Sequence, residues 1–322
     1  RVISNVRQTR PGFVRFHYTD ACETLSALRA VIAVYSVHSF DIPRPKALLG
    51  DQHFRRLTSI LRRTAASFRI MPETIGIGAA GSQSSVLQRL LSELTAALDM
   101  RLAGDGKGEL FLRLARQSDG RGWEVLVRST PHVLSKRSYR LVDVPGALNA
   151  TVAYAMTRCG ALPDSARVVN LCSGSSTILI EHAHSRTADR LIGVDNNRLM
   201  LDAGWRNSMA SRVQDRIYHV RADARCAPLP PRSFDRLYAD LPFGHHVGSH
   251  SDNLRLYPAI LLEAQRLAQR HATFVILTHE VKLMKRCLEE SAWQISDERV
   301  INLRGLHPRL FVLNQNSARI IE

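Results

Sequence analysis

From residue 167 to residue 278 the chain alternates short apolar runs with amphipathic stretches. Apolar runs at 167–172, 191–195, 217–222, 235–241 and 272–278 have strand length, and the segments between them carry helical spacing. Strands that alternate with helices predict a mostly parallel sheet covered on both faces. The first part of the chain has a different texture. There Gly12-Phe13-Val14-Arg15-Phe16 and Arg29-Ala30-Val31-Ile32-Ala33-Val34-Tyr35 are apolar, while Arg55-Arg56 and Arg62-Arg63 are basic. Val86, Leu87, Leu90, Leu91, Leu94 and Leu98 recur at helical spacing. Residues 109–114 and 123–127 flank Ser118-Asp119-Gly120-Arg121-Gly122 as the arms of a hairpin. A smaller α+β unit is therefore expected at 1–135 and a mostly parallel α/β unit at 136–322. The basic stretch from Pro131 to Arg140, closed by Val144-Pro145-Gly146, lies at their junction. No internal repeat or low-complexity tract interrupts this order.

Composition narrows the partners. The chain has 322 residues, 45% hydrophobic and 23% charged, enough to bury a substantial core. Its 44 Lys+Arg against 29 Asp+Glu give a formal charge of +15, a field that attracts polyanions. A membrane surface fits less well than RNA or DNA, because the sequence has no apolar run of about 18 residues and no basic amphipathic helix. Charge alone leaves simple solubility as an equal explanation, so motifs must decide. The five cysteines, at 22, 159, 172, 226 and 287, lie far apart and form no Cys-x-x-Cys pair. Free thiols in a reducing, cytoplasmic compartment are expected, without a metal site. The start, Arg1-Val2-Ile3-Ser4-Asn5, has neither an apolar signal core nor an initiating Met, so the sequence is expected to begin inside a longer chain.

Four strand ends carry the candidate chemistry. Val168-Val169-Asn170-Leu171-Cys172-Ser173-Gly174-Ser175-Ser176-Thr177 runs from a buried strand through a small-residue turn into a helix. Such a turn lets a ligand approach the backbone, and the helix start offers free amides. Leu191-Ile192-Gly193-Val194-Asp195 follows about 20 residues later, where a carboxylate accepts from a ribose hydroxyl pair. NAD and S-adenosylmethionine both carry that ribose, and a helix cap at Asp195 before Asn196-Asn197 is compatible with either. The next strand ends at Asp223-Ala224, a position for an adenine amino group or for a plain solvated carboxylate. The fourth opens into Asp240-Leu241-Pro242-Phe243-Gly244. To methylate an exocyclic amine, its hydrogens must be held so that the nitrogen lone pair faces the methyl donor. Asp240 and the Leu241 carbonyl are acceptors for them, Pro242 fixes the turn, and Phe243 offers a stacking face.

At these residues the chain resembles the THUMP-domain RNA methyltransferases, particularly the tRNA guanine-N2 methyltransferases. The similarity covers most of the chain. The family's glycine loop, roughly Asp-Pro-x-Cys-Gly-Ser-Gly-Thr, corresponds to Asn170 through Thr177, and its Leu-Pro-Phe variant of the catalytic motif corresponds to Asp240 to Gly244. Leu134-Ser135-Lys136-Arg137-Ser138-Tyr139-Arg140 is similar to the family's Leu-x-x-Arg-Gly-Tyr-Arg, and residues 305–313 resemble its closing hairpin. The resemblance implies a Rossmann-like class I methyltransferase domain with a mostly parallel seven-stranded sheet, preceded by a THUMP-like RNA-binding region. It also implies S-adenosylmethionine as cofactor, held by Asn170, Cys172, Ser173, Gly174, Ser175, Ser176, Thr177, Asp195, Asn196, Asp223 and Ala224. Structured RNA, in particular tRNA, would be the partner, contacted by Arg137, Tyr139, Arg140 and His245, with Arg137 and Arg140 also placed to pack the domain junction. A monomer is expected.

Two residues depart from the family pattern. Asn170 replaces the leading Asp and removes a negative charge, and Ser176 replaces the second loop glycine, with a side chain expected to crowd the ligand or force another turn. His245-His246 stands where a more basic pair is usual, which would make phosphate contact pH-dependent. The leading expectation is methylation of a guanosine 2-amino group in tRNA. The alternatives are an adenine-N6 methyltransferase, a non-catalytic RNA-binding protein that has lost its cofactor through Asn170 and Ser176, and, last, a dehydrogenase, which gives the Leu-Pro-Phe turn no role.

Overall fold

In the second half of the chain, neighbouring residues of one strand are buried on opposite faces of a sheet, because side chains alternate along a strand. Leu237, Ala239 and Leu241 enter one apolar cluster while Tyr238 enters another; Phe274 and Ile276 share the first, Val275 and Leu277 the second. Both faces are thus dry, which explains the continuous apolar runs. The computed structural model describes residues 2–20, 22–79, 83–104, 107–118, 120–160, 165–186, 188–242, 249–303 and 305–315. The chain forms two compact units, Arg1–Ser135 and Lys136–Glu322.

The first unit comprises β1 (Ile3–Arg10), β2 (Phe13–Tyr18), β3 (Tyr35–Phe40), α1 (Asp51–Ala66), β4 (Thr74–Gly78), α2 (Ser85–Leu98), β5 (Arg101–Leu102), β6 (Leu110–Arg116) and β7 (Trp123–Arg128). β1 and β2 form a hairpin, and the other five strands form a mixed sheet in the order β3-β7-β6-β4-β5. β6 and β7 pair antiparallel, as the hairpin pattern predicts. The apolar stripes of the helices, Leu57, Ile60 and Leu61 on α1 and Leu87, Leu90, Leu91 and Leu94 on α2, pack with Ile75, Leu112 and Val127 of that sheet. Arg15 of β2 is bonded to both Glu124 carboxylate oxygens, at 2.8 and 2.9 Å, which ties the hairpin to β7.

The second unit comprises α3 (Ala150–Arg158), β8 (Ala166–Leu171), α4 (Thr177–Ser185), β9 (Ala188–Asp195), α5 (Arg198–Ala210), β10 (Ile217–Arg221), β11 (Phe234–Asp240), α6 (His250–Leu267), β12 (Ala268–Thr278), α7 (Val281–Glu289), β13 (Trp293–Val300) and β14 (Arg309–Gln315). The seven strands lie in the order β10-β9-β8-β11-β12-β14-β13. The first five run parallel, and β14 pairs antiparallel with both β12 and β13, so the closing hairpin completes the sheet. This is the class I methyltransferase arrangement expected from the sequence. Residues of α6 and α7 cover one face and those of α3 and α4 the other. Because β8 is central, the order of connections reverses beside it, and a parallel sheet offers its binding crevice at such a point, outside the carboxyl ends of the strands. No helix among the described residues is long and apolar enough to cross a membrane.

Candidate active site at the carboxyl edge of the sheet

Four segments leave the carboxyl ends of β8, β9, β10 and β11, and they meet at one thiol. Burial together with the negative charge of Asp195, Asp240 and Asp223 pushes Cys172 up to about 12. Three carboxylates at the carboxyl edge therefore lie within electrostatic reach of the start of the loop after β8. In a chain of net positive charge, Asp195 and the ionised form of Asp240 give this edge local negative charge that suits a cationic ligand, while Asp223 is paired with Arg225.

The loop after β8 directs much of its polar equipment inward. Asn170 is buried, and in the amide orientation that satisfies both ends its nitrogen donates to the carbonyls of Leu171 (3.3 Å) and Tyr238 (3.1 Å). A carboxylate could only repel those two acceptors, so the amide is the better fit between β8 and β11. Ser173 is buried, and its Oγ occupies the space left by Gly193, where a Cβ would stand 2.9 Å from it. Ser175 and Thr177 are also buried. Gly174 turns outward: its φ is +52°, an added Cβ would meet nothing within 4 Å, and its amide donates to Asp195 Oδ2 at 2.8 Å. An open backbone beside a fixed carboxylate fits the methionine and ribose parts of the expected cofactor.

Ser176 behaves differently from the sequence expectation. It adopts the left-handed conformation that glycine enters without strain (φ 61°, ψ 23°), and it is completely buried. Its Oγ is bonded to His219 Nε2 at 3.0 Å, and a Cβ on Gly204 of α5 would come within 2.6 Å of it. The side chain therefore packs among α5 and β10 rather than crowding a ligand. Gly204 provides the room, and the hydrogen bond offsets part of the roughly 1–2 kcal/mol cost of that backbone region.

Asp195 is held from two sides, by the Gly174 amide on Oδ2 and by the Asn197 amide on Oδ1 at 2.9 Å. The cap of α5 is Asn197, which accepts from the Leu199 amide at 2.9 Å, so Asp195 is not the helix cap. Asn196 is exposed beside it. Asp223 is gripped by Arg225, whose guanidinium lies 2.6 to 3.0 Å from both carboxylate oxygens, and these hydrogen bonds hold its pKa below the usual carboxylate range. Ala224 is buried in the core cluster, so only its backbone is available to a ligand.

The turn after β11 is built in the opposite way. Asp240 is half-buried, and burial pushes its carboxyl up to about 7. The amide of Leu241 donates to the Leu277 carbonyl at 3.0 Å, and the Pro242 carbonyl accepts from Asn253 Nδ2 and Tyr257 Oη, both at 3.0 Å. Both flanks of the Leu241 carbonyl are thereby pinned. Asn253 also donates to Glu280 (2.8 Å), Tyr257 is bonded to Thr278 (2.7 Å), and Glu280 is paired with His250 (2.5 Å). The sequence reading missed this supporting set. A polar residue at Asn253 on the α6 face that also carries Tyr257, Ile260 and Leu261 was its one visible signal.

The basic residues of the connector have structural duties. Arg137 Nε lies 2.9 Å from Glu181 Oε1, with side chains 9% and 0% exposed, and Tyr139 donates to the same carboxylate at 2.8 Å. Arg140 donates to the Leu148 carbonyl (2.5 Å) and to Thr177 Oγ1 (3.0 Å). The expected RNA contacts of Arg137 and Tyr139 are corrected on this ground, since both are buried against α4. The contacts of Arg137 and Arg140 all lie within the second unit, where together they brace the helix that follows the loop after β8. Phe243 and His245 lie outside the described residues, as do Gly244 and His246.

Comparison with known proteins agrees with this arrangement. The chain is 24% identical over 217 residues to a tRNA (guanine(6)-N2)-methyltransferase of Methanocaldococcus jannaschii, covering 56% of this chain and 57% of that protein. It is 31% identical over 184 residues to the human tRNA (guanine(6)-N(2))-methyltransferase THUMP3, covering 52% of this chain and 36% of the relative. The chain thus spans about a quarter to three-fifths of the curated relatives it matches. The solved structure of TrmN from Thermus thermophilus superposes with a TM-score of 0.70 at 22% identity, covering 94% of this chain and 89% of that one, which shows a shared fold. The profile of the RMKL-like methyltransferase domain matches residues 137–309, more than half of the chain and nearly all of the unit that bears the four strand ends, so the chain belongs to that family.

Proposed function

We propose that the chain transfers a methyl group from S-adenosylmethionine to the 2-amino group of a guanosine in tRNA. The observation that carries this reading is the pairing, on adjacent strands, of a loop with an outward-facing backbone and a turn that ends in Asp240 and a pinned Leu241 carbonyl. The names of the relatives support guanine N2 and tRNA, and the net charge and the α+β first unit support an RNA substrate, with that unit as its THUMP-like binding region. The four described cysteines are free thiols, in keeping with a reducing, cytoplasmic setting.

S-adenosylmethionine, when bound, provides an electrophilic methyl group on a cationic sulfur. Asp195 would hold the ribose, Asp223 the adenine edge, and the loop from Asn170 to Ser176 the methionine part. The nitrogen lone pair of a guanine amine is spread into the ring, so the amine must be held for it to attack. Asp240 accepts one N–H and the Leu241 carbonyl the other, which leaves the lone pair facing the donor. With its pKa near 7, Asp240 is also matched to take the proton that the nitrogen sheds. The target base must be flipped or unpaired to reach the turn.

Incubation of the chain with tRNA and S-adenosylmethionine, followed by mass spectrometry of nucleosides, tests this. N2-methylguanosine is expected; methyladenosine without methylguanosine would overturn the choice of base. Calorimetric titration with S-adenosylhomocysteine should give saturable binding that is lost in Asp195→Ala, and an absence of binding would favour a non-catalytic RNA-binding protein.

A further inference from the structure

Beside the catalytic turn lies a second feature that the reaction does not use. A cleft of about 500 Å³ between α6 and α7 is lined by His250, Leu254, Lys282, Leu283 and Arg286. Lys282 and Arg286 stand one helical turn apart on α7, both exposed, and no carboxylate among the described residues forms an ion pair with either. Their neighbour Lys285, by contrast, is paired with Glu298 at 2.9 Å. Leu254, 42% exposed, and Leu283 give the cleft an apolar lining beside the two cations.

Three hydrogen bonds connect this cleft to the turn. His250 on its wall is bonded to Glu280, Glu280 to Asn253, and Asn253 to the Pro242 carbonyl, at 2.5, 2.8 and 3.0 Å. The cleft wall and the Pro242 carbonyl are therefore held in one hydrogen-bonded frame.

We propose that this cleft binds the RNA strand itself, taking the ribose and phosphate of a nucleotide adjoining the methylated one. The apolar lining suits a ribose face, and two unpaired cations suit the phosphates on either side. The inference rests on the reading of the substrate as RNA and adds to it the surface that orients the strand.

The test is RNA binding by the full chain in the presence of S-adenosylhomocysteine, followed by fluorescence anisotropy of a labelled tRNA across a salt series. Lys282→Glu with Arg286→Glu should weaken binding at least tenfold, while Lys282→Ala with Arg286→Ala should lower the slope of log affinity against log salt by about two. Affinity for S-adenosylhomocysteine and the melting temperature should be unchanged. RNA affinity and salt slope equal to wild type in both variants would overturn the proposal, as would a wild-type chain that binds no RNA. A wild type that binds RNA but methylates no guanosine would overturn the function proposed above and leave the cleft standing. Guanosine methylation with both variants binding normally would do the reverse.

Discussion

The loop after β8 and the turn after β11 leave adjacent parallel strands at the same edge, and they are secured in opposite ways. In the loop, Asn170, Ser173 and Ser176 turn into the protein, and what faces outward is the backbone at Gly174. In the turn the backbone is tied down, through the Leu241 amide and the Pro242 carbonyl, and the Asp240 carboxylate makes no hydrogen bond to any described residue. A segment that holds a ligand gains from fixed side chains and an approachable main chain. A segment that does chemistry gains from a fixed main chain and a side chain whose pKa is perturbed.

The largest effect should come from removing the brace behind the loop. Arg137→Ala leaves the fully buried Glu181 without its cation and should cost about 3–5 kcal/mol in denaturant unfolding. Glu181→Gln strands the Arg137 guanidinium instead and should cost less, because that side chain, 9% exposed, keeps some access to water. A loss under about 1 kcal/mol for Arg137→Ala would show that α4 does not depend on this pair. Next, Asp240→Ala should lower the rate constant for methyl transfer by about 10²–10³ and leave S-adenosylhomocysteine affinity within about twofold. An equal loss in both would mean that the two segments are not separable.

Acidity sharpens the same contrast. Asp240 must be ionised to accept an N–H, and with a pKa near 7 its ionised fraction falls roughly tenfold from pH 8 to pH 6, so methyl transfer should fall with it. S-adenosylhomocysteine affinity should stay flat over that range, because hydrogen bonds from Arg225 hold Asp223 below the ordinary carboxylate range. Parallel falls in rate and affinity would contradict the division. The smallest effect concerns Ser176: His219→Ala should weaken cofactor binding by about 1 kcal/mol or less, and in a Ser176→Gly background, where glycine needs no support at positive φ, that cost should vanish. The same cost in both backgrounds would show that His219 does not act through Ser176.

Part of this site could be read along the chain because its residues sit at ends of apolar runs. Asp195 and Asp240 each close a strand and Asp223 stands two residues past the end of another, and parallel strands bring their carboxyl ends to one edge. The basic connector was harder to read. Arg137 has the composition of a phosphate contact, and only folding brings it to Glu181. A clue did exist, since a glutamate within the apolar stretch Thr177-Ile178-Leu179-Ile180-Glu181 must find a cation once that helix is buried. Asn253, Tyr257 and Glu280 gave less warning, being polar or amphipathic residues of elements that in sequence only connect strands.

The sequence by itself determined the alternation of strands and helices, and with it the parallel sheet, the crevice at its carboxyl edge and the three carboxylates there. Local periodicity encodes these features, because the side-chain repeats of strand and helix differ. Tertiary structure alone decided that Ser176 turns toward His219 and Gly204, that Arg137 is spent on Glu181, and that Asp240 titrates near neutrality. Each of these depends on which distant groups share a buried space and how much water they exclude, and no single stretch of chain carries that information.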